Sequence, residues 1–371
     1  MILEPQSIKI LKINKRAGDI RAIRLDKGSP SFDFELNVDT KSLVKRILRM
    51  VSSYPSEEGY PELIKLIQEI ESKINHRDVN ANNICLTNGA LSGLFFAFAS
   101  LFDKKDIVLI NELSFEGFTS VLSTLGLIPK VVNYDNFEAI EKIVKESNIK
   151  AVILNSPENP SGKMYKEEFL EFINSLAKKY NPLVVSDEVN NQNVYPPYKF
   201  ISPSNFINSD RLISVNSFSK NYFLPGVRLG WVIAREEITK KIKNAMAVSQ
   251  VSINCPSQVI AYSIVENCKE ELTLFKKELQ DKKNEGEKIL KENDISCLQP
   301  VTGGTVFFIE TEVNSEKLVN HLLNYCKVGA IPGIYFGEKW KNWLRVGFGA
   351  VSSSDFKKAI SSIKQATYDC K

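Results

Sequence analysis

The chain has 371 residues, 43% of them hydrophobic and 25% charged, with a formal net charge of +4. That length supports a large core divided between two domains, and the near-balance of charge argues against a nucleic-acid surface. The longest apolar stretch, residues 94–102, is far short of a membrane span, and six cysteines without CxxC spacing read as reduced thiols in a cytoplasmic protein.

In chain order, MILEPQSIKILK lacks a basic segment leading into an apolar run and a cleavage site, so no export signal is read. His76 and His321 are the only histidines and have no partner motif, which argues against a histidine triad or a multi-histidine metal centre. Ile84-Cys85-Leu86-Thr87 predicts a strand that leads into Gly89-Ala90-Leu91, the start of a helix running towards Phe102. Three more strand-length runs follow: Ala151-Val152-Ile153-Leu154, Pro182-Leu183-Val184-Val185 and Leu212-Ile213-Ser214-Val215. Helix-like segments such as residues 165–179 separate them. This alternation predicts a parallel sheet covered by helices, and in such sheets ligands bind beyond the carboxyl ends of the strands.

From about Ser257 to about Glu292 the pattern is one long charged helix, whose run from Lys276 to Lys291 reads as a solvated face. A strand at residues 305–309, a helix near 315–326 and a last strand at 343–346 complete the chain. The expected fold class is α/β: a large domain at 41–265 and a smaller α+β domain made from 1–40 and 266–371. No P-loop or GxGxxG sequence competes as a nucleotide site.

The chemistry concentrates in SFSKNYFLPGVRLGW, where Lys220 and Arg228 stand eight residues apart. A lysine amine can hold a carbonyl as a Schiff base, while the hydroxyls of Ser217 and Ser219 and a guanidinium can hold a phosphate. Pyridoxal phosphate offers both groups. The stretch resembles the lysine segment of fold type I pyridoxal-phosphate enzymes of the class I/II aminotransferase family, which have a mostly parallel sheet of seven-stranded type. Asn155-Ser156-Pro157-Glu158-Asn159-Pro160-Ser161-Gly162 is similar to that family's NPxNPTG turn, with serines at two positions. The resemblance covers about residues 20–350.

It implies that Lys220 is catalytic, that Asn159 faces the ring hydroxyl and that Asp187 faces the pyridine nitrogen. Gly89, Ala90, Leu91, Ser217, Ser219 and Arg228 would hold the phosphate, and Phe115 would stack on the ring. Arg345 corresponds to the clamp for the substrate carboxylate, and Gly28 to a substrate loop that comes close to the ligand. Tyr54 matches a tyrosine that reaches the phosphate of a neighbouring subunit, which implies a homodimer with shared active sites. One position departs from the pattern: Asn190 stands where the family usually has tyrosine. The implied activity is aminotransfer between an L-amino acid and a keto acid in amino acid biosynthesis. Asn190 keeps open a lyase, cyclase or oxidase that acts through the same α-carbanion, as relatives do on arginine-derived amino acids. A DNA-binding regulator is disfavoured, because no basic helix-turn-helix segment is read before residue 20.

Overall fold

The computed structural model describes residues 5–31 and 36–371, so residues 1–4 of the N-terminal stretch lie outside it. Helix α1 (Gln6–Asp19) leads to a two-residue strand β1 (Ile23–Arg24). Helices α2 (Thr40–Met50) and α3 (Pro61–Asn75) follow. Asp39 caps α2 by accepting the Ser42 N–H at 3.1 Å, and Pro61 opens α3, where a missing N–H costs nothing.

Strand β2 (Ile84–Thr87) then runs into α4 (Ala90–Leu101). After it come β3 (Ile107–Asn111), α5 (Glu116–Thr124), β4 (Ile128–Val132), α6 (Phe137–Glu146) and β5 (Ile149–Asn155). The alternation continues through α7 (Glu167–Tyr180), β6 (Leu183–Asp187), β7 (Leu212–Ser217), the single turn α8 (Phe218–Asn221), β8 (Gly230–Ile233) and α9 (Glu236–Gln250). These strands form one seven-stranded sheet in the order β2-β8-β7-β6-β5-β3-β4, in which only β8 runs antiparallel to its neighbours. The α/β expectation therefore holds, including the mostly parallel sheet.

Successive side chains of a strand leave on opposite faces, so a sheet covered on both sides needs apolar residues at every position. In β5, Val152 and Leu154 pack with Ile140 and Val144 of α6 and with Phe169, Leu170 and Ile173 of α7. The alternate residues Ala151 and Ile153 join Leu94 and Phe98 of α4 and Phe118 and Leu122 of α5. Edge strand β4 shows the contrast. It is mostly exposed and carries Pro129 and Lys130, residues that discourage pairing with another chain.

The remaining chain begins with α10 (Cys255–Asn267) and α11 (Lys269–Glu292), followed by β9 (Val306–Glu310) and α12 (Ser315–His321). Two short strands, β10 (Val328–Gly329) and β11 (Ile331–Pro332), precede β12 (Trp343–Gly347) and α13 (Ser353–Asp369). An antiparallel sheet β11-β12-β9 forms here, and β10 pairs with β1 from the other end of the chain. Two expectations change. The single helix expected from Ser257 to Glu292 is two helices, because Cys268 leaves the helical conformation between them. The lysine run is also less solvated than its charge suggested. Lys276 donates to Gln192 Oε1 at 2.7 Å, and burial lowers its pKa from the usual value. Lys282 and Lys283 lie along the protein surface and pair one turn away with Glu278 and Glu287. His321, which has no partner motif in sequence, has Nε2 at 3.7 Å from Asp369 Oδ2 and packs on Tyr325.

Candidate active site

The carboxyl ends of β5, β6 and β7 open into a cavity of 760 Å³. Its wall includes Gly28, Ala90, Leu91, Phe115, Asn159, Asp187, Asn190, Ser217, Ser219, Lys220, Arg228 and Arg345. Residues scattered over 300 positions of sequence thus meet in one place. Two expected site residues are not in that wall. Gly89 lies immediately behind it as the N-cap of α4, while Tyr54 is 84% exposed in the segment between α2 and α3.

Lys220 follows β7 by three residues, and it is half-buried in the cavity wall. Its amine donates to Gly28 O and, at 2.7 Å, to Ser29 Oγ. Burial first, and the Arg345 charge second, push the amine down to a pKa of about 7. A large share of the amine is therefore an uncharged nucleophile near neutrality. Asp187 ends β6 and is buried, with one hydrogen bond to its carboxylate, from the Val189 N–H at 3.2 Å. Burial pushes this carboxyl up to about 7.

Asn155, at the end of β5, ties two neighbours together. Its amide donates to Asp187 O at 3.3 Å, and its Oδ1 accepts the Asn159 N–H at 2.8 Å. That fixes the turn carrying Asn159, whose own Oδ1 is buried without a partner. Asn190 accepts from Asn193 Nδ2 at 3.4 Å, which leaves its carboxamide nitrogen as the group available to a ligand oxygen.

The start of α4 is built for an anion. No side chain caps it, and its first-turn N–H groups have no intrahelical acceptor. Gly89 adopts φ +81°, and a Cβ there would come within 2.8 Å of Arg228 NH2. Arg228 itself sits at φ 54°, and its NH1 donates to Pro225 O at 2.9 Å. Gly89→Ala should accordingly weaken cofactor binding roughly tenfold, since the variant adds about 1 kcal/mol of backbone strain and displaces the guanidinium. An absorbance titration of the stripped protein measures this, and an unchanged dissociation constant would remove the assignment.

Phe115 precedes α5 and meets Phe118 edge-on at 5.5 Å. A Cβ on Gly117 would overlap the Phe115 ring, so only glycine permits this placement. Arg345, in β12, also lines the cavity and is 4% exposed. Its NH2 donates to Asp26 O at 3.0 Å, and its Nε has no partner. Gly28 passes between the two cations: a Cβ there would lie 3.8 Å from both Arg345 and Lys220 Nζ.

A buried polar network behind the cavity was not read from the sequence. Glu71 of α3 accepts from Trp231 Nε1 at 2.9 Å, Asn75 Nδ2 at 2.7 Å and Arg77 NH2 at 2.7 Å. Asn191 Nδ2 donates to Asn75 Oδ1 at 3.2 Å, and Asn221 Nδ2 bridges Asn191 Oδ1 at 2.7 Å and Asn216 Oδ1 at 3.1 Å. These amides fix the loop after Asp187 relative to the turn that bears Lys220. The signal was present in Asn190-Asn191-Gln192-Asn193, because four amides in a row at a strand end suit an interior network as well as a surface loop.

The profile of the aminotransferase class I and II family matches residues 22–363, and the chain belongs to that family. It is similar to a probable aspartate aminotransferase of Methanocaldococcus jannaschii, 31% identical with 92% of each chain covered. An aspartate aminotransferase of Pyrococcus horikoshii is 29% identical over 96% of this chain and 94% of its own. The crystal structure of aspartate aminotransferase from Thermotoga maritima superposes with a TM-score of 0.84 at 25% identity, covering 98% of this chain and 99% of that one. The protein is a pyridoxal-phosphate-dependent aminotransferase.

The cavity residues fit that cofactor. An uncapped helix start beside two hydroxyls and an arginine suits a phosphate dianion. An amine of lowered pKa suits an aldehyde, and a buried carboxylate with a single hydrogen bond calls for a cationic partner.

Proposed function

We propose that the protein moves the amino group of an L-amino acid to a keto acid, with Lys220 as the residue that carries the cofactor and transfers the proton. The observation that supports this best is the Lys220 amine in the cavity wall, held on Gly28 O and Ser29 Oγ and pushed down to about 7 by burial first and the Arg345 guanidinium second. Pyridoxal phosphate supplies an aldehyde and an electron-withdrawing ring.

Phosphate binding falls to Gly89, Ala90, Leu91, Ser217, Ser219 and Arg228. Asn159 and Asn190 would donate towards the ring oxygen, Phe115 would cover a ring face, and Asp187 would pair with the ring nitrogen. Arg345 clamps the substrate carboxylate, with Gly28 allowing the close approach. With the cofactor bound, the Lys220 amine would be the group placed to take the proton from the substrate α-carbon and to carry it to the carbon that receives the amino group. Ser29 and Gly28 O, which already accept from the amine, aim it throughout.

The reading extends to a cytoplasmic homodimer that works in amino acid biosynthesis. Support for assembly comes from α2, which buries none of its own residues and exposes Val44 and Leu48 one turn apart, close to exposed Tyr54. Tyr54 would complete the phosphate site of the neighbouring subunit. Free thiols at all six cysteines support the cytoplasmic assignment, and the separation of the seven-stranded sheet from the two- and three-stranded ones supports domains at 41–265 and at 1–40 with 266–371.

Mixing the cofactor-loaded protein with single amino acids tests the function. The visible band of the bound cofactor should move to the near-ultraviolet position of its aminated form in stoichiometric amount, and a keto acid should restore it. Ammonia, carbon dioxide or peroxide release without a keto acid would overturn aminotransfer. Sedimentation should give twice the 41.9 kDa chain mass, and a monomer would remove the shared site.

A further inference from the structure

We infer that Glu116 sets the charge of the substrate: the cavity selects an amino acid whose side chain carries an ammonium or guanidinium group, and disfavours a dicarboxylic one. The inference rests on the functional reading above, because it concerns the same cavity.

Among the described residues four carboxylates line that cavity: Asp26, Glu116, Glu158 and Asp187. Three have work to do. Asp26 takes both its oxygens to Arg24, at 2.8 and 2.7 Å. Glu158 accepts from Asn111 Nδ2 and Ser161 Oγ. Asp187 stands at the strand end assigned to the cofactor nitrogen.

Glu116 is left over. It is 7% exposed, its Oε2 makes no hydrogen bond, and Arg345 NH1 stands off at 4.0 Å, beyond hydrogen-bonding distance. That arginine is also the clamp proposed for the substrate carboxylate. Burial already raises the Glu116 pKa against the opposing pull of Arg345. Once a substrate carboxylate reaches Arg345, one buried guanidinium faces two carboxylates, and Glu116 must take up a proton or meet a second cation. A cationic substrate side chain restores neutrality, while a second substrate carboxylate adds repulsion at close range. Glu116 is the one carboxylate among the buried residues of α5, beside Gly117, Phe118, Ser120, Val121 and Leu122.

A second acceptor stands in the same wall. Asn14 of α1 lines the cavity, and its Oδ1 is buried without a partner. Helix α1 is fastened to α5 through the Ser7 N–H, which donates to Ser120 Oγ at 3.4 Å, and both Asn14 and Glu116 line the one cavity. Two unmatched acceptors suit a group rich in N–H donors. The two relatives named above for aspartate are 31% and 29% identical to this chain, a distance at which side-chain preference can differ.

The test compares the cofactor-loaded wild type with Glu116→Gln, which keeps the shape and removes the charge. The substrates are L-ornithine, L-arginine, L-norleucine and L-aspartate, and kcat and KM are measured separately. Wild type should favour the cationic substrates over aspartate by roughly tenfold or more in kcat/KM. In Glu116→Gln, KM for ornithine and arginine should rise roughly tenfold, KM for aspartate should fall, and norleucine should change little. A readout free of turnover uses unreactive ligands. By calorimetry, wild type should bind 6-aminohexanoate more tightly than maleate, and the variant should lose that order. Aspartate as the best wild-type substrate, or a preference indifferent to the substitution, would overturn the inference while leaving aminotransfer intact. No spectral conversion with any amino acid would overturn both.

Discussion

Lys220→Ala protein should lose the visible band of bound cofactor and fall at least about 10³-fold in transamination, the upper part of what a positioned acid–base residue supplies. The lysine is expected to act twice, first holding the cofactor and then moving the proton, so no other residue in the cavity replaces it. Retention of phosphate contacts should leave cofactor binding detectable by fluorescence. A mere loss of fold would abolish both, and a variant that kept near-normal turnover would end the assignment.

The same residue makes a prediction that needs no cofactor. Its folded pKa lies near 7, against 10.5 for an ordinary lysine, mainly because burial disfavours the charged amine. Above pH 10.5 neither folded nor unfolded chain binds the proton. As pH falls towards 7 the unfolded chain takes it up and the folded one does not, so stability declines through that window. Each unit of displacement is worth about 1.4 kcal/mol, and the whole effect is a few kcal/mol. Stripped Lys220→Met protein should show a flatter melting-temperature profile between pH 7 and 10 than stripped wild type. Parallel profiles would mean that burial does not depress the amine as described.

How far the site could be read from sequence depends on the kind of contact involved. Lys220, Arg228, Asn159 and Asp187 were legible because each follows an apolar strand-length run, and strand ends in a parallel sheet converge on one crevice. Strands β3, β4 and β8 went unread, since short apolar runs such as Ile107–Asn111 lack the flanking chemistry that marked the others. The break at Cys268 was hidden because charge periodicity continues across it. Glu116 escaped for another reason. Its neighbours Phe115 and Phe118 suggested a packed aromatic segment, and only the fold brings its carboxylate to Arg345, 229 positions away in sequence. Residues such as Glu71 and Asn221 were illegible alone, because a buried polar network is defined by its partners, not by any one member.

Asp187→Asn should lower turnover by about 10² to 10³-fold, the range lost when one fixed electrostatic stabiliser is removed. The carboxylate is assigned to hold a proton on the ring nitrogen, and an amide of the same shape cannot sustain that charge. Cofactor binding through the phosphate cradle should survive, which separates this variant from a disrupted site. The pH dependence of the stripped protein carries an independent sign. Burial raises the folded pKa of Asp187 from 3.8 to about 7, so the folded chain holds its proton more tightly than the unfolded one. The resulting stability is fully present below about pH 3.8 and is lost as pH rises through 7, where the folded state must accept a buried anion. Stripped Asp187→Asn should therefore resist melting better than stripped wild type above pH 7. Glu158 and Glu188 are also pushed up to about 7 by burial, but they are common to both proteins and cancel in the comparison. Adding cofactor should then reverse the order, because a cationic ring nitrogen converts the burdened carboxylate into a paired one. A wild type that gains no more from the cofactor than the variant at pH 8 would show that Asp187 has no such partner.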